Sequence, residues 1–296
     1  MSSSGSTLAR RALGREMRRM REVSEISQAA AARVAEVSPQ TIGRMEEGRA
    51  TQVSGLHLNA LCNAYGATDA ERGTVLGLHQ EVKQAKELGG GWWKGFADAT
   101  PEGFDHYLGL EQDARRIITW QTTLVPGLLQ TPEYRRAMFW VDDPTRSTDD
   151  VERLIEMASY RQNRLREPGF TIDVLLSEAV LRAQVGGRPV MADQLRHLAD
   201  CAALPNVSIG VVPFDASSHL GSFVGSFVLL EFPPLPESKL IELPVVYVEG
   251  YVGDLYLERD HEVRQYRDAL TEIRRVALDK TDTRRLIVAV AKEYGA

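Results

Sequence analysis

The sequence predicts two domains of different class: an N-terminal all-α helix-turn-helix domain, then a C-terminal α+β domain with a modest, mixed sheet. Three observations carry this. From Leu8 to about Leu88, apolar residues recur at three- and four-residue intervals between capping residues and glycines. From about Phe170 the pattern changes to short apolar, β-branched runs separated by helical stretches. The chain has 296 residues, 43% of them hydrophobic, enough for two cores, and Gly89-Gly90-Gly91 offers a linker. The domains are therefore drawn as residues 1–88 and 92–296.

The elements follow in order. Leu8 to Val23 is a helix whose Leu13, Met17 and Met20 form a buried stripe, with Arg11, Arg15, Arg18 and Arg19 opposite. Ser27 caps a short helix opened by Gln28, in which Ala31 and Ala32 admit a close neighbour. Val37 is an apolar plug after a turn. Ser38-Pro39 then starts a second short helix, with a capping hydroxyl and a proline at the first helical position. Ile42 and Met45 turn inward, and Gly48 stops the helix. Leu58, Leu61, Cys62 and Tyr65 repeat at helical spacing, and a further helix follows the break at Gly66 to Asp69.

In the second part, Phe104 to Trp120 reads as an amphipathic helix with Tyr107, Leu110, Ala114 and Ile117 on one side. Pro126-Gly127 is a turn. Thr131-Pro132-Glu133 starts a helix, and Asp149 to Arg166 is another, ended by Pro168-Gly169. Strands are expected at Phe170 to Leu176, Val207 to Val212, Ser226 to Phe232 and Val245 to Val248, the last pairing with Tyr251 to Glu258. Pro233, Pro234 and Pro236 interrupt the sheet. Helices are expected at Val190 to Ala203, Asp260 to Leu278 and Asp282 to Tyr294.

The two short helices have helix-turn-helix spacing, and the second of them suits the DNA major groove. The run from Leu8 to Tyr65 resembles the Cro/repressor-type (XRE-type, lambda-repressor-like) regulators. It shares their Ser-Gln opening, paired alanines, Val-Ser step and Ile-x-x-Met-Glu-x-Gly ending. One position departs: the turn carries Glu36 where that family usually has glycine. A non-glycine residue in left-handed backbone costs roughly 1 kcal/mol.

On the second helix, Gln40, Gly43, Arg44 and Glu47 share the face opposite Ile42 and Met45. A glutamine amide can read adenine at two points, and a guanidinium can read guanine. Gln40 and Arg44 are therefore candidates for base contact, and Gly43 lets the helix approach closely. Ser38 and Thr41, at the helix start, lie where a phosphate or thymine methyl can be touched. Gln28 resembles the family's phosphate-contacting glutamine. Arg49 and Thr51 lie in the following loop, which in this family borders the phosphate backbone. Arg10, Arg11 and Arg15 are further phosphate candidates. Glu46 is expected to support the fold by pairing with an arginine of the first helix.

A second resemblance covers the rest. Leu110 to Phe139, Asp173 to Gly187 and Val248 to Glu258 resemble a domain of unknown function that follows such helix-turn-helix heads in many actinobacterial regulators. Some relatives are described as antitoxin-like, encoded beside a small partner protein. The resemblance implies transcription control in the cytoplasm; it identifies neither an effector nor catalytic residues.

Charge and composition fit that expectation. The net charge is −6, yet residues 1–50 hold nine arginines against six acids. A locally basic head on an acidic body suits a DNA reader joined to a domain that does not touch DNA. No apolar run reaches 18 residues, so no membrane span is expected, and the first residues lack the apolar core of a secretory signal. Cys62 and Cys201 are far apart, and Cys62 lies on an apolar helical face, so a reducing cytoplasm is expected. The six histidines show no metal-ligand spacing, and no nucleophile or phosphate-loop motif appears, so no metal site, cofactor or enzyme activity is expected. Glu178 can sit in a pocket or cap a helix. Trp92, Trp93, Trp120 and Trp140 can line a ligand site or pack a core. One short reading helix supplies few base contacts, so a homodimer on an inverted-repeat operator in double-stranded DNA is expected. The second domain is then expected to sense a small-molecule effector or a small partner protein.

Overall fold

The computed structural model describes residues 8–49, 51–87, 92–96, 100, 104–236 and 238–295. The triple glycine expected as a linker lies outside the described residues. By its internal packing the chain forms two units. One is Met1–Asp113 with Phe232–Glu242; the other is Ala114–Glu231 with Leu243–Ala296. The short helix before Asp113 and a late segment of the chain thus pack with the head.

The first unit is helical: α1 (Leu8–Val23), α2 (Gln28–Val34), α3 (Pro39–Glu46), α4 (Gly55–Ala64), α5 (Asp69–Glu87), a 3₁₀ turn at Trp92–Phe96, and α6 (Phe104–Asp113). The stripe of α1 is buried as expected, with Leu13, Met17 and Met20 joined by Leu8, Ala9 and Ala12. It packs on α3 and α5. Leu58, Leu61 and Cys62 of α4 and Val75 and Leu78 of α5 complete this core. Two glycines permit the α1–α3 approach. A Cβ on Gly14 would lie 2.3 Å from the Met45 carbonyl oxygen, and one on Gly48 would lie 2.9 Å from Cα of Arg11. Gly48 also sits at φ +69°, where a side chain is strained.

The second unit holds a six-stranded mixed sheet in the order β3-β2-β1-β4-β5-β6. Its strands are β1 (Arg116–Gln121), β2 (Thr171–Ser177), β3 (Val207–Val212), β4 (Phe227–Glu231), β5 (Val245–Val248) and β6 (Leu255–Leu257). β1, β2 and β3 run parallel, joined by crossovers through α7 (Pro132–Asp142), α8 (Thr148–Gln162), α9 (Glu178–Arg182) and α10 (Arg188–Cys201). β4, β5 and β6 add antiparallel. A four-residue turn of helix, α11 (Gly221–Val224), precedes β4, and α12 (Asp260–Val276) and α13 (Lys280–Gly295) close the unit. One sheet face buries Ile118, Trp120, Leu175, Phe227, Leu229 and Val246 against Val263, Leu270 and Ile273 of α12. Neighbours in register share that face, Ile118 opposite Leu229 and Trp120 opposite Phe227.

One expectation is corrected. The helix expected over Phe104 to Trp120 stops at Asp113, and Arg116–Gln121 is a strand inside the sheet. Ile117 prolonged the helical spacing of Tyr107, Leu110 and Ala114 by coincidence. Four successive buried residues, Ile117 to Trp120, are instead a strand covered on both faces, and periodicity cannot separate such a run from a buried helix.

Candidate nucleic-acid interface

The helix-turn-helix forms from local capping. Ser27 accepts a hydrogen bond from the Ala30 amide at 3.2 Å, and Ser38 accepts from the Thr41 amide at 3.1 Å. Thr41 Oγ1 also lies 2.9 Å from Ser38 Oγ. Between the helices the Ala35 amide donates to the Ala31 carbonyl and the Val37 amide to the Ala32 carbonyl, which turns the chain back. This turn puts Glu36 at φ +52°, the left-handed backbone for which glycine is preferred.

Ile42 and Met45 are buried beneath α3, and Gln40 and Arg44 stand exposed on its other side. Glu46, with 2% of its side chain exposed, takes both Nε (2.5 Å) and Nη2 (3.0 Å) of Arg21 on α1. This pairing raises the Arg21 pKa and locks α3 to α1. Gln28 enters the same network: its amide donates to Glu46 Oε2 at 2.9 Å. The Gln28 side chain lies 3.6 Å from where a Cβ on Gly43 would stand, so the missing side chain at Gly43 makes room for Gln28. An amide carries two N–H groups, and the tie to Glu46 uses one. Arg49 pairs with Glu47 at 2.9 Å, both more than half exposed, a contact that water and salt weaken readily.

The structure thus groups Gln28, Ser38, Gln40, Thr41 and Arg44 around one short helix, with Arg49 just beyond its end. It gives the first-helix arginines other partners. Arg18 pairs with Glu22, and Arg19 with Glu16 and Glu71. Arg15 pairs with Glu242, and the Arg11 guanidinium lies over the Phe232 ring, 5.8 Å from its centroid.

A helix-turn-helix domain model matches residues 12–75, which takes in both short helices and their turn. A second model, a domain of unknown function (DUF5753), matches residues 104–289. The chain belongs to the DUF5753 family. No curated protein and no solved structure matches it.

In this DUF5753 protein Glu178, Trp120, Trp92 and Trp93, singled out from sequence, are engaged in structure. Glu178 is buried at the start of α9, where it accepts the Phe214 amide (2.9 Å) and Arg182 Nε (2.7 Å) and so holds the loop after β3. Trp120 is core, its indole N–H donating to the Gly221 carbonyl at 3.1 Å. Trp92 donates to Gln112 Oε1 at 3.0 Å and meets Trp93 edge-on. Cys62 and Cys201 are both buried free thiols, and burial pushes the Cys201 pKa up to about 11. Among the described residues no cluster of metal-ligating side chains occurs, and no helix is long and apolar enough to cross a membrane.

Proposed function

We propose that this DUF5753 protein is a sequence-specific transcriptional regulator of the XRE type, acting in the cytoplasm. Its head reads double-stranded DNA through α3, with Gln40 and Arg44 on base edges and Gln28, Ser38, Thr41 and Arg49 on the backbone. The observation that carries this is the arrangement of α3 itself. Gln40 and Arg44 are exposed on one side of it, while Ile42, Met45 and the Arg21–Glu46 pair fix the helix from the other. Preorganised in this way, the helix spends little binding energy on ordering itself. One such helix reads a few base pairs, so we propose a homodimer on an inverted repeat.

The sheet-bearing unit then regulates rather than catalyses, since Glu178, the acid best placed for chemistry by sequence, is spent on holding a loop. Its signal is a small-molecule effector or a small partner protein. The second reading is an antitoxin-like role, in which holding a small partner protein is the main task, and co-purification of such a partner with the intact chain tests it.

Arg44→Ala tests the reading face. On a duplex enriched from a random library by the intact protein, it should cost about 1–3 kcal/mol and relax selection at one base position. Titration by fluorescence anisotropy measures it. Unchanged affinity for both the enriched and a random duplex rules the assignment out.

A further inference from the structure

The segment Phe232–Glu242 leaves β4, packs with the helical head, and returns to β5. It is braced internally. Pro234 and Ile241 bridge as antiparallel partners, the Leu235 amide donates to the Leu240 carbonyl at 2.8 Å, and Lys239 takes left-handed backbone at φ +58°. It is also anchored along its length. Phe232 is buried beneath the Arg11 guanidinium, the Ser238 amide donates to Glu81 of α5 at 2.7 Å, and Glu242, 1% exposed, holds Arg15. Burying a carboxylate and a phenyl ring under two arginines is a commitment that a passive connecting loop does not need.

Arg11 gives this strap its reach. The Arg11 backbone is pressed against Gly48, the residue that ends the recognition helix. One turn along α1, Gly14 meets the carbonyls of Met45 and Glu46. Phe232 is thus one side chain away from the C-terminal end of α3. Close-packed contacts of this kind pass on displacements rather than absorb them.

We propose that the strap Phe232–Glu242 positions the recognition helix through Arg11 and Arg15, and that the sheet-bearing unit acts on the head through it. Phe232, Glu242 and Arg11 are positioning residues, without contact to DNA. A shift of β4 or β5 moves the ends of the strap, tightens or slackens its hold on α1, and alters how firmly α3 is presented. By linkage, DNA bound to α3 must tighten the strap to the same extent that the strap tightens DNA binding. The proposal rests on the DNA-reading role of α3 only for this second half.

Hydrogen exchange of the full-length chain tests both halves. Without DNA, Phe232→Ala and Glu242→Gln should each speed exchange of the α3 amides at least about five-fold, while α4 amides keep the wild-type rate. Glu242→Gln preserves shape, so it keeps the test usable should Phe232→Ala fail to fold. Wild-type exchange at α3 in a folded variant overturns the proposal. The second arm adds a duplex enriched from a random library by the wild-type chain. Amides of the non-proline residues of 232–242 should then be protected, and both variants should lose about ten-fold in affinity for that duplex but not for random DNA. A strap that merely scaffolds the head would show no protection on DNA binding. That result, beside an intact Arg44-dependent affinity, overturns the proposal. If instead no duplex is enriched, or Arg44→Ala binds as wild type, the DNA reading fails, and the α3 exchange without DNA still decides the strap.

Discussion

Glu46 is an acid on a helix expected to meet phosphates, and its environment resolves the conflict. Its carboxylate is almost wholly covered and shared between Arg21 and Gln28, so it offers no open negative charge. The pairing with a first-helix arginine was legible because Glu46 sits one residue past Met45, on the inward side. The Gln28 tie was not, because it depends on Gly43 leaving room, a three-dimensional fact. Glu36 tests the cost of the turn. It holds φ +52° without glycine's freedom, so Glu36→Gly should stabilise the protein by about 0.5 kcal/mol at most, after glycine's larger unfolded-state entropy is subtracted. Urea unfolding followed by far-ultraviolet circular dichroism measures it. A destabilised Glu36→Gly would mean that the Glu36 side chain contributes more than its backbone costs.

Among the elements, α5 shows how a cap can also join two helices. Glu71 accepts from the Thr68 amide and hydroxyl at the start of α5 and from Arg19 Nη2 of α1, each at 2.9 Å. These donors, Arg19 foremost, hold its carboxyl pKa down to about 2, well below the ordinary value near 4.5. A carboxylate depressed in the folded state adds stability above its unfolded pKa and loses it as pH falls through the folded one. The difference in melting temperature between wild type and Glu71→Gln should therefore be present at neutral pH, shrink below about pH 4.5 and vanish near pH 2. A difference constant over that range would remove Arg19 and Thr68 as the cause. Helix starts like this one were legible from cap residues at Ser27, Ser38, Thr68 and Thr131, because caps are local chemistry. β1 was not, because a strand buried on both faces hides its two-residue period, and only its partners β2 and β4 identify it.

At the scale of the molecule, the two fold classes were legible from the change of periodicity, whereas the membership of each unit was not. No local pattern announces that residues 232–242 pack with helices made from residues 8–113, since long-range docking leaves no periodic trace. The strap should therefore contribute to the stability of the head. A fragment of residues 1–113 should melt at a lower temperature than the same fragment joined through a Gly/Ser linker to residues 232–242. Differential scanning calorimetry compares them, and equal melting temperatures would mean that the strap adds nothing to the head.

The late position of the strap also has a consequence for biosynthesis. Chains grow from the N-terminus at about 5–20 residues per second, and domains generally fold as they emerge. The helices up to Asp113 are made long before Glu242, an interval on the order of ten seconds at those rates. Throughout that interval the nascent head exposes the faces of Arg11, Arg15 and Glu81 that the strap will cover. The head therefore reaches its final form only after β1 to β4 have been synthesised, and a chain released early by the ribosome carries an unfinished one.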